Sequence, residues 1–145
     1  MNSHEYYMNL AIEQAHAGKT PFGAVLIDNS GEVIAKKFNT VASPPDPTAH
    51  AEINVLRAAA TRMNTKKLPE TVLYTTGEPC PMCMSGIIFA GVNTVIYGAS
   101  IPIISRYLFQ VDLRAEEVIG KSGKEIVLEG GVQEANCEEL LKKYT

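Results

Sequence analysis

The sequence predicts an α/β fold, a three-layer α/β/α sandwich around a mixed five-stranded sheet. Three observations carry this. Five apolar, β-branched runs alternate with helical stretches along the 145 residues, the pattern of a sheet covered by helices. The first two runs are joined by Asn29-Ser30-Gly31, whose turn chemistry makes a hairpin and so an antiparallel pair. The third and fourth flank a helical stretch, a βαβ unit whose strands run parallel. One domain over residues 1–145 is expected, since 46% apolar content in a chain of this length supports a core of its own.

Each element has its own signal. Met8, Ala11, Ile12 and Ala15 recur at helical spacing, with Ser3 as N-cap and Gly18 as stop. Residues 21–28 read as a buried strand, and residues 32–39 as its hairpin partner, ending at Asn39. A short rigid loop with Pro44, Pro45 and Pro47 follows. The second helix is placed at 48–63, with Asp46 or Thr48 as N-cap and Ile53, Leu56, Ala59 and Ala60 on one face. After a polar connection, 71–76 is a strand, 80–90 a helix and 94–98 a strand. Residues 101–109 suit a short helix or a loop packed on the site. Residues 114–119 look helical, 125–128 form a short strand, and 132–144 close the chain as a helix. Cys137, Leu140, Leu141 and Tyr144 share one face of that last helix.

Chemistry gathers at two of the helix starts. Pro79 and Pro81 fit a turn or a first helical turn, where the missing N–H is not needed. Cys80 and Cys83 are three apart, so on a first turn their sulfurs point the same way. The partial positive charge of a helix N-terminus favours thiolates there. Two thiolates are half of a zinc site. Upstream, Asp46-Pro47-Thr48-Ala49-His50-Ala51-Glu52 offers His50 as a third ligand, with the Glu52 carboxylate beside it. Three protein ligands leave one tetrahedral position for water, the arrangement of a catalytic zinc. A closed structural site would need Cys137 as fourth ligand, but its spacing with Leu140 and Leu141 suits a small core residue. His4 and His16 have no ligand partner at useful spacing. Phe22 is core by default or a wall stacked on a base, Asn39 a turn residue or a substrate contact, and Glu78 a helix N-terminus residue.

Bulk composition narrows the partners. With 13 Lys and Arg against 16 Asp and Glu, net charge is −3 and pI about 5.6, so no basic field invites a polyanion. The paired lysines at 66–67 and 142–143 read as solvated surface. No stretch approaches the ~20 apolar residues that cross a bilayer, and Glu5 and Glu13 interrupt any leader-like run. Three cysteines, two in metal-type spacing, point to a reducing cytoplasm.

Pro21-Phe22-Gly23-Ala24-Val25, Asn39, Asp46-Pro47-Thr48-Ala49-His50-Ala51-Glu52 and Glu78-Pro79-Cys80-Pro81-Met82-Cys83 together resemble the cytidine deaminase superfamily over residues 5–100. The pairing of H-x-E with P-C-x-x-C is the signature of its zinc sites. Within it, the wording is most similar to guanine and guanosine deaminases, with tRNA adenosine deaminases and fungal cytosine deaminases close behind. The resemblance implies a cytidine deaminase-like fold and Zn²⁺ held by His50, Cys80 and Cys83. It implies that Glu52 moves protons, and that Asn39, Phe22 and Ala51 meet the substrate. Hydroxide generated at the metal would attack the amino-bearing carbon of a free nucleobase or nucleoside, guanine-type first and cytosine second, releasing ammonia. A homodimer is implied as well. The alternative is a tRNA-specific adenosine deaminase, and a non-enzymatic structural zinc module is the third reading. After Ala99 the chain departs from guanine deaminases, with Ser105-Arg106-Tyr107-Leu108-Phe109-Gln110-Val111-Asp112 where they carry a Gly-Phe-Asp-Asp-like stretch.

Overall fold

A computed structural model describes residues 2–145 and shows five strands in the order β2-β1-β3-β4-β5. Strands β1 (Gly23–Asp28) and β2 (Val33–Phe38) form the antiparallel hairpin, and β1 also runs antiparallel to β3 (Thr71–Gly77). Strand β4 (Thr94–Ala99) lies parallel to β3, and β5 (Val127–Glu129) parallel to β4. The sheet is therefore mixed and five-stranded, as the sequence predicts.

Alternation along the strands builds two cores. Ala24, Leu26, Leu73 and Val95 face one way, against helices α2 (Ala51–Met63) and α3 (Pro81–Ala90) and the start of α5 (Ala115–Ser122). Val25, Ile27, Tyr74 and Ile96 face the other way. They meet α1 (His4–Gly18), Ile104 of the short α4 (Ile101–Ile104), and α6 (Glu134–Tyr144). That is a three-layer α/β/α sandwich. No helix among the described residues is long and apolar enough to cross a membrane.

Helix ends follow local chemistry. Ser3 caps α1 by accepting from the Tyr6 N–H, and Lys19, Asn64 and Gly91 close α1, α2 and α3 in the left-handed region. The second helix starts later than its sequence suggests. Asp46 uses its carboxylate on the N–H and hydroxyl of Thr48, an Asx-type turn, so the N-cap position falls to His50. Its buried face is also rotated: Ala51, Glu52, Val55, Leu56 and Ala59 point inward, while Ile53 and Ala60 are half-buried. Burial of a carboxylate there is unreadable from apolar periodicity.

Pairing brings remote residues to one end of the sheet. Because β1 and β3 run antiparallel, the start of β1 lies beside the end of β3. The Thr76 hydroxyl accepts from the Gly23 N–H at 3.1 Å and donates to the Pro21 carbonyl at 2.9 Å. Asn39, just past β2, donates its backbone N–H to the Phe22 carbonyl at 3.2 Å. Helices α2 and α3 both begin at this end.

Across the sheet, Cys137 packs over Gly98. A Cβ at Gly98 would lie 2.3 Å from the Cys137 sulfur and 2.9 Å from the Thr76 carbonyl oxygen. Gly98→Ala should therefore destabilise the chain by roughly 1–3 kcal/mol in urea unfolding. Adding Cys137→Ala should recover part of that loss; purely additive costs would show that the two positions do not compete for space.

Candidate active site

Two helix starts supply the donors. His50 is the N-cap of α2 and Cys80 the N-cap of α3, and neither side chain serves as the cap; the Cys80 sulfur meets Cys83 instead. Both are left free to turn toward the sheet end. Pro81 occupies the first helical position of α3, and Cys83 sits one turn in, fully buried. The His50 Nδ1 lies 3.7 Å from the Cys80 sulfur and 3.5 Å from the Cys83 sulfur. The three ligand atoms all lie within 4.8 Å of one another.

Tetrahedral zinc fits this cradle. Ligand distances of ~2.3 Å to sulfur and ~2.0–2.1 Å to imidazole nitrogen place N and S about 3.6 Å apart, and the observed separations bracket that value. Cys137 cannot complete a closed site. It belongs to the core on the opposite face of the sheet, where burial pushes its thiol up to about 12.

The groups of the cradle shift one another's protonation. The Cys80 thiol is lowered to about 4, first by its hydrogen bond with Cys83 and then by His50. Cys83 is pushed well above the ordinary thiol range by that same hydrogen bond, then by burial. His50 is raised, chiefly by its hydrogen bond to Cys80. Glu52, 6% exposed on the first turn of α2, is raised from 4.5 to about 7, first by burial and next by the charge of Cys80. One sulfur holds charge while its neighbour and the carboxyl resist it.

A cavity of about 300 Å³ opens onto this cluster. Phe22 and Asn39 line it together with His50, Glu52 and Cys80. The Asn39 side-chain oxygen accepts from the Val41 N–H at 3.1 Å, so the amide nitrogen is what Asn39 can offer a ligand. Ala51 is different. Its side chain is wholly buried in the core under α2, and it is no part of the cavity lining, because the first helical position turns inward between His50 and Glu52.

The lining also includes Gly77, Glu78, Ile104, Leu108, Phe109 and Gln110; the sequence placed 101–109 on the site as a segment, but of the six it gave only Glu78 a role of its own. A Cβ at Gly77 would come within 2.9 Å of Ile104 and 3.1 Å of Phe22, so only glycine leaves the gap between them open. Its place just before Glu78-Pro79-Cys80 was the available signal. Glu78 does not serve α3, as its position suggested. It accepts from the N–H groups of Ile101 and Ala115, at the starts of α4 and α5. His4 and His16 are remote from the cavity and contact Tyr74 and Tyr144.

A His-Cys-Cys cradle on two helix starts, with a buried carboxyl beside it, defines a mononuclear zinc hydrolase of the α/β class. Residues 1–99 match the family described as the cytidine and deoxycytidylate deaminase zinc-binding region, and the chain belongs to that family. It is accordingly a zinc-dependent deaminase. A tRNA-specific adenosine deaminase of Buchnera aphidicola subsp. Baizongia pistaciae is 34% identical over 147 residues, covering 99% of this chain and 88% of that protein. A guanine deaminase of Bacillus subtilis is 38% identical over 102 residues, covering 67% of this chain and 65% of that one. The solved guanine deaminase of Nitrosomonas europaea superposes with a TM-score of 0.88 at 27% identity, covering 99% of this chain and 85% of its own.

Glu52 gives a pH test of this electrostatic account. Below about pH 4.5 both folded and unfolded chains hold its proton, so it has no effect. Between 4.5 and 7 only the unfolded chain ionises, so the folded state loses ground as pH rises, reaching its full penalty above 7. In chelator-treated protein at about pH 8, Glu52→Gln should therefore exceed wild type in stability by about 3 kcal/mol at most, with no advantage near pH 4.5. Thermal unfolding at the two pH values checks this, and a gain independent of pH would mean that Glu52 ionises normally.

Proposed function

We propose that the chain deaminates a free nucleobase or nucleoside, guanine-type first and cytosine second, by hydrolysis. The carrying observation is the lining of the cavity. Glu52 and Glu78 are its carboxyls, and no Lys or Arg lines it or the groove that continues from it past Thr20, Val41 and Pro47. At about 300 Å³ it lies at the small end of ligand pockets. A neutral ring suits such a space better than a phosphate-bearing strand, whose binding rests on cations. The guanine deaminases among the relatives support the choice of base. Deamination of adenosine in tRNA is the second reading, supported by the Buchnera relative, whose likeness covers 99% of this chain.

In this reading His50, Cys80 and Cys83 hold the zinc. When bound there, the metal supplies a Lewis acid that makes water nucleophilic at neutral pH. Glu52 takes a proton from the attacking water and passes it to a ring nitrogen of the substrate. It then takes the second proton from the newly added hydroxyl and delivers it to the departing amine as the C–N bond breaks and the C–O bond becomes a carbonyl, so that ammonia leaves. Burial suits a carboxyl to this shuttle, because desolvation raises its proton affinity and lets it hold the proton between the two transfers. Phe22 offers a ring wall, and the Asn39 amide donates to an acceptor on the substrate edge.

The partner surface follows from α3. Its ten residues carry no charge, and although one side packs in the core, Phe89 on the outside is 73% exposed. A helix apolar all round is normally buried all round. A homodimer through this face is the reading it supports. Phe89→Lys should convert the dimer to monomer in sedimentation equilibrium at micromolar concentration, and an unchanged mass would remove α3 from the interface.

Ammonia release from free bases, nucleosides and a tRNA anticodon stem-loop tests the substrate. Turnover is expected on a free base or nucleoside, guanine tried first, with kcat/KM changing little between roughly 50 and 200 mM salt. Glu52→Gln should keep zinc while losing ~10²-fold or more in kcat, and Asn39→Ala should lower kcat/KM with zinc retained. Activity confined to the stem-loop and steeply weakened by salt would establish the second reading instead.

A further inference from the structure

We propose that Glu78 is a positioning residue: its carboxylate ties down both ends of the segment 105–113, and through that segment sets which substrate the cavity admits. The inference rests on the deaminase reading above for its consequence and on the geometry alone for its mechanism.

The Glu78 side chain is 1% exposed, yet the hydrogen bonds of its carboxylate go to Ile101, Arg114 and Ala115, all beyond Ala99. One carboxylate oxygen accepts from the Ile101 N–H at 2.8 Å, at the start of α4. The other accepts from the Ala115 N–H at 2.9 Å, at the start of α5. The Arg114 Nε donates to both oxygens at 3.0 Å. Four hydrogen bonds fill the capacity of a carboxylate, so none remains for substrate. On the main chain, the Glu78 N–H donates to the Ala99 carbonyl at 2.8 Å. A single residue thus joins the end of β3 to the starts of two later helices, 23 and 37 residues away in sequence.

Between those two helices lies the stretch that supplies Leu108, Phe109 and Gln110 to the cavity. Its near half is held independently, by the Tyr107 hydroxyl donating to Glu138 at 2.6 Å and by Leu108 N–H bonding back to Ile104. From Phe109 to Leu113 the hydrogen bonds among the described residues stay within the segment: Gln110 to the Phe109 carbonyl and Leu113 to Val111. Phe109 is 87% exposed and Val111 is exposed as well. The far half therefore runs into Arg114 and Ala115, which Glu78 holds together with Glu117 accepting from the Arg114 N–H, the Tyr97 hydroxyl beside the guanidinium, and the core packing of Ala115. Loosening that anchor frees the cavity wall without touching the donors of the metal cradle.

The test uses the absence of tryptophan from the chain. Phe109→Trp puts a single indole on the segment, and its anisotropy decay reports the segment's motion directly. In that background Glu78→Gln and, as a milder second variant, Arg114→Met are compared, each with zinc stoichiometry and thermal unfolding recorded. The amplitude of the nanosecond component should rise about twofold or more in both, with zinc unchanged. In the Phe109 chain, Arg114→Met should raise KM for the best free base about fivefold with kcat nearly preserved, and change the preference between guanine and 8-azaguanine. A general loss of stability would lower both substrates alike. Zinc loss with an unchanged indole signal, or unchanged anisotropy in both variants, overturns the proposal. Failure of wild type to turn over any free base sinks the substrate reading alone, because the indole measurement still decides the anchor.

Discussion

Two sulfurs, one imidazole and one buried carboxyl share the end of the sheet, and the charge each can hold depends on the protonation of the others. Ionising Cys80 raises the cost of ionising Cys83 and Glu52. Protonating His50 relieves part of the charge, but half of that ring is removed from water. A divalent cation settles the whole set at once, since it favours thiolate, neutral imidazole and carboxylate together. The surrounding fold is arranged to hold this conflict in place. Prolines on either side of Cys80 place the start of α3, the Asx turn at Asp46 delays the start of α2 until His50, and both helices are pinned by cores on β1 and β3. The donors are rigid because their backbones are helix starts rather than loop tips.

Most of the fold was legible in the chain because local and global signals agree there. The hairpin at Asn29-Ser30-Gly31, the βαβ unit and the alternation of apolar residues each specify one arrangement. The cradle was legible too, since Cys80 and Cys83 share a first turn and His50-Ala51-Glu52 lies on another helix start. What stayed hidden follows a pattern. The N-cap of α2 was misplaced because Asp46 and Thr48 are both good caps, and only their mutual hydrogen bonds show that they serve each other. The buried face of α2 was misread because periodicity assigns carboxylates to solvent, whereas Glu52 is inside. Ala51 was expected at the substrate on the strength of its neighbours, but a helical turn sends it into the core.

Glu78 and Gly77 escaped for a different reason. Their partners are tertiary: Glu78 answers to Ile101, Arg114 and Ala115, and Gly77 to Phe22 and Ile104. No window of sequence around either residue contains those groups. The second core shows the same limit. Cys137 was assigned to a core by helical spacing, but its seat against Gly98 depends on α6 packing on β4. A small residue matters there because a sulfur from a distant helix fills its space.

In the proposed reading, reaction and selectivity are carried by different parts of the chain. The cradle, Glu52, Asn39 and Phe22 all lie within residues 1–99, the part that matches the family. Ile104, Leu108, Phe109 and Gln110 lie beyond it, yet they line the same cavity. Chemistry at the amino-bearing carbon needs an invariant geometry of donors and carboxyl, which only rigid helix starts can supply. Recognition of the rest of a ring needs a surface that can differ between relatives, and a segment held at its ends and free in its middle can vary without disturbing the cradle. A guanine deaminase and a tRNA-specific adenosine deaminase can accordingly both resemble this chain. In the proposed reading the wall that follows determines the substrate, and the buried carboxylate of Glu78 fastens that wall to the end of the sheet that holds the cradle.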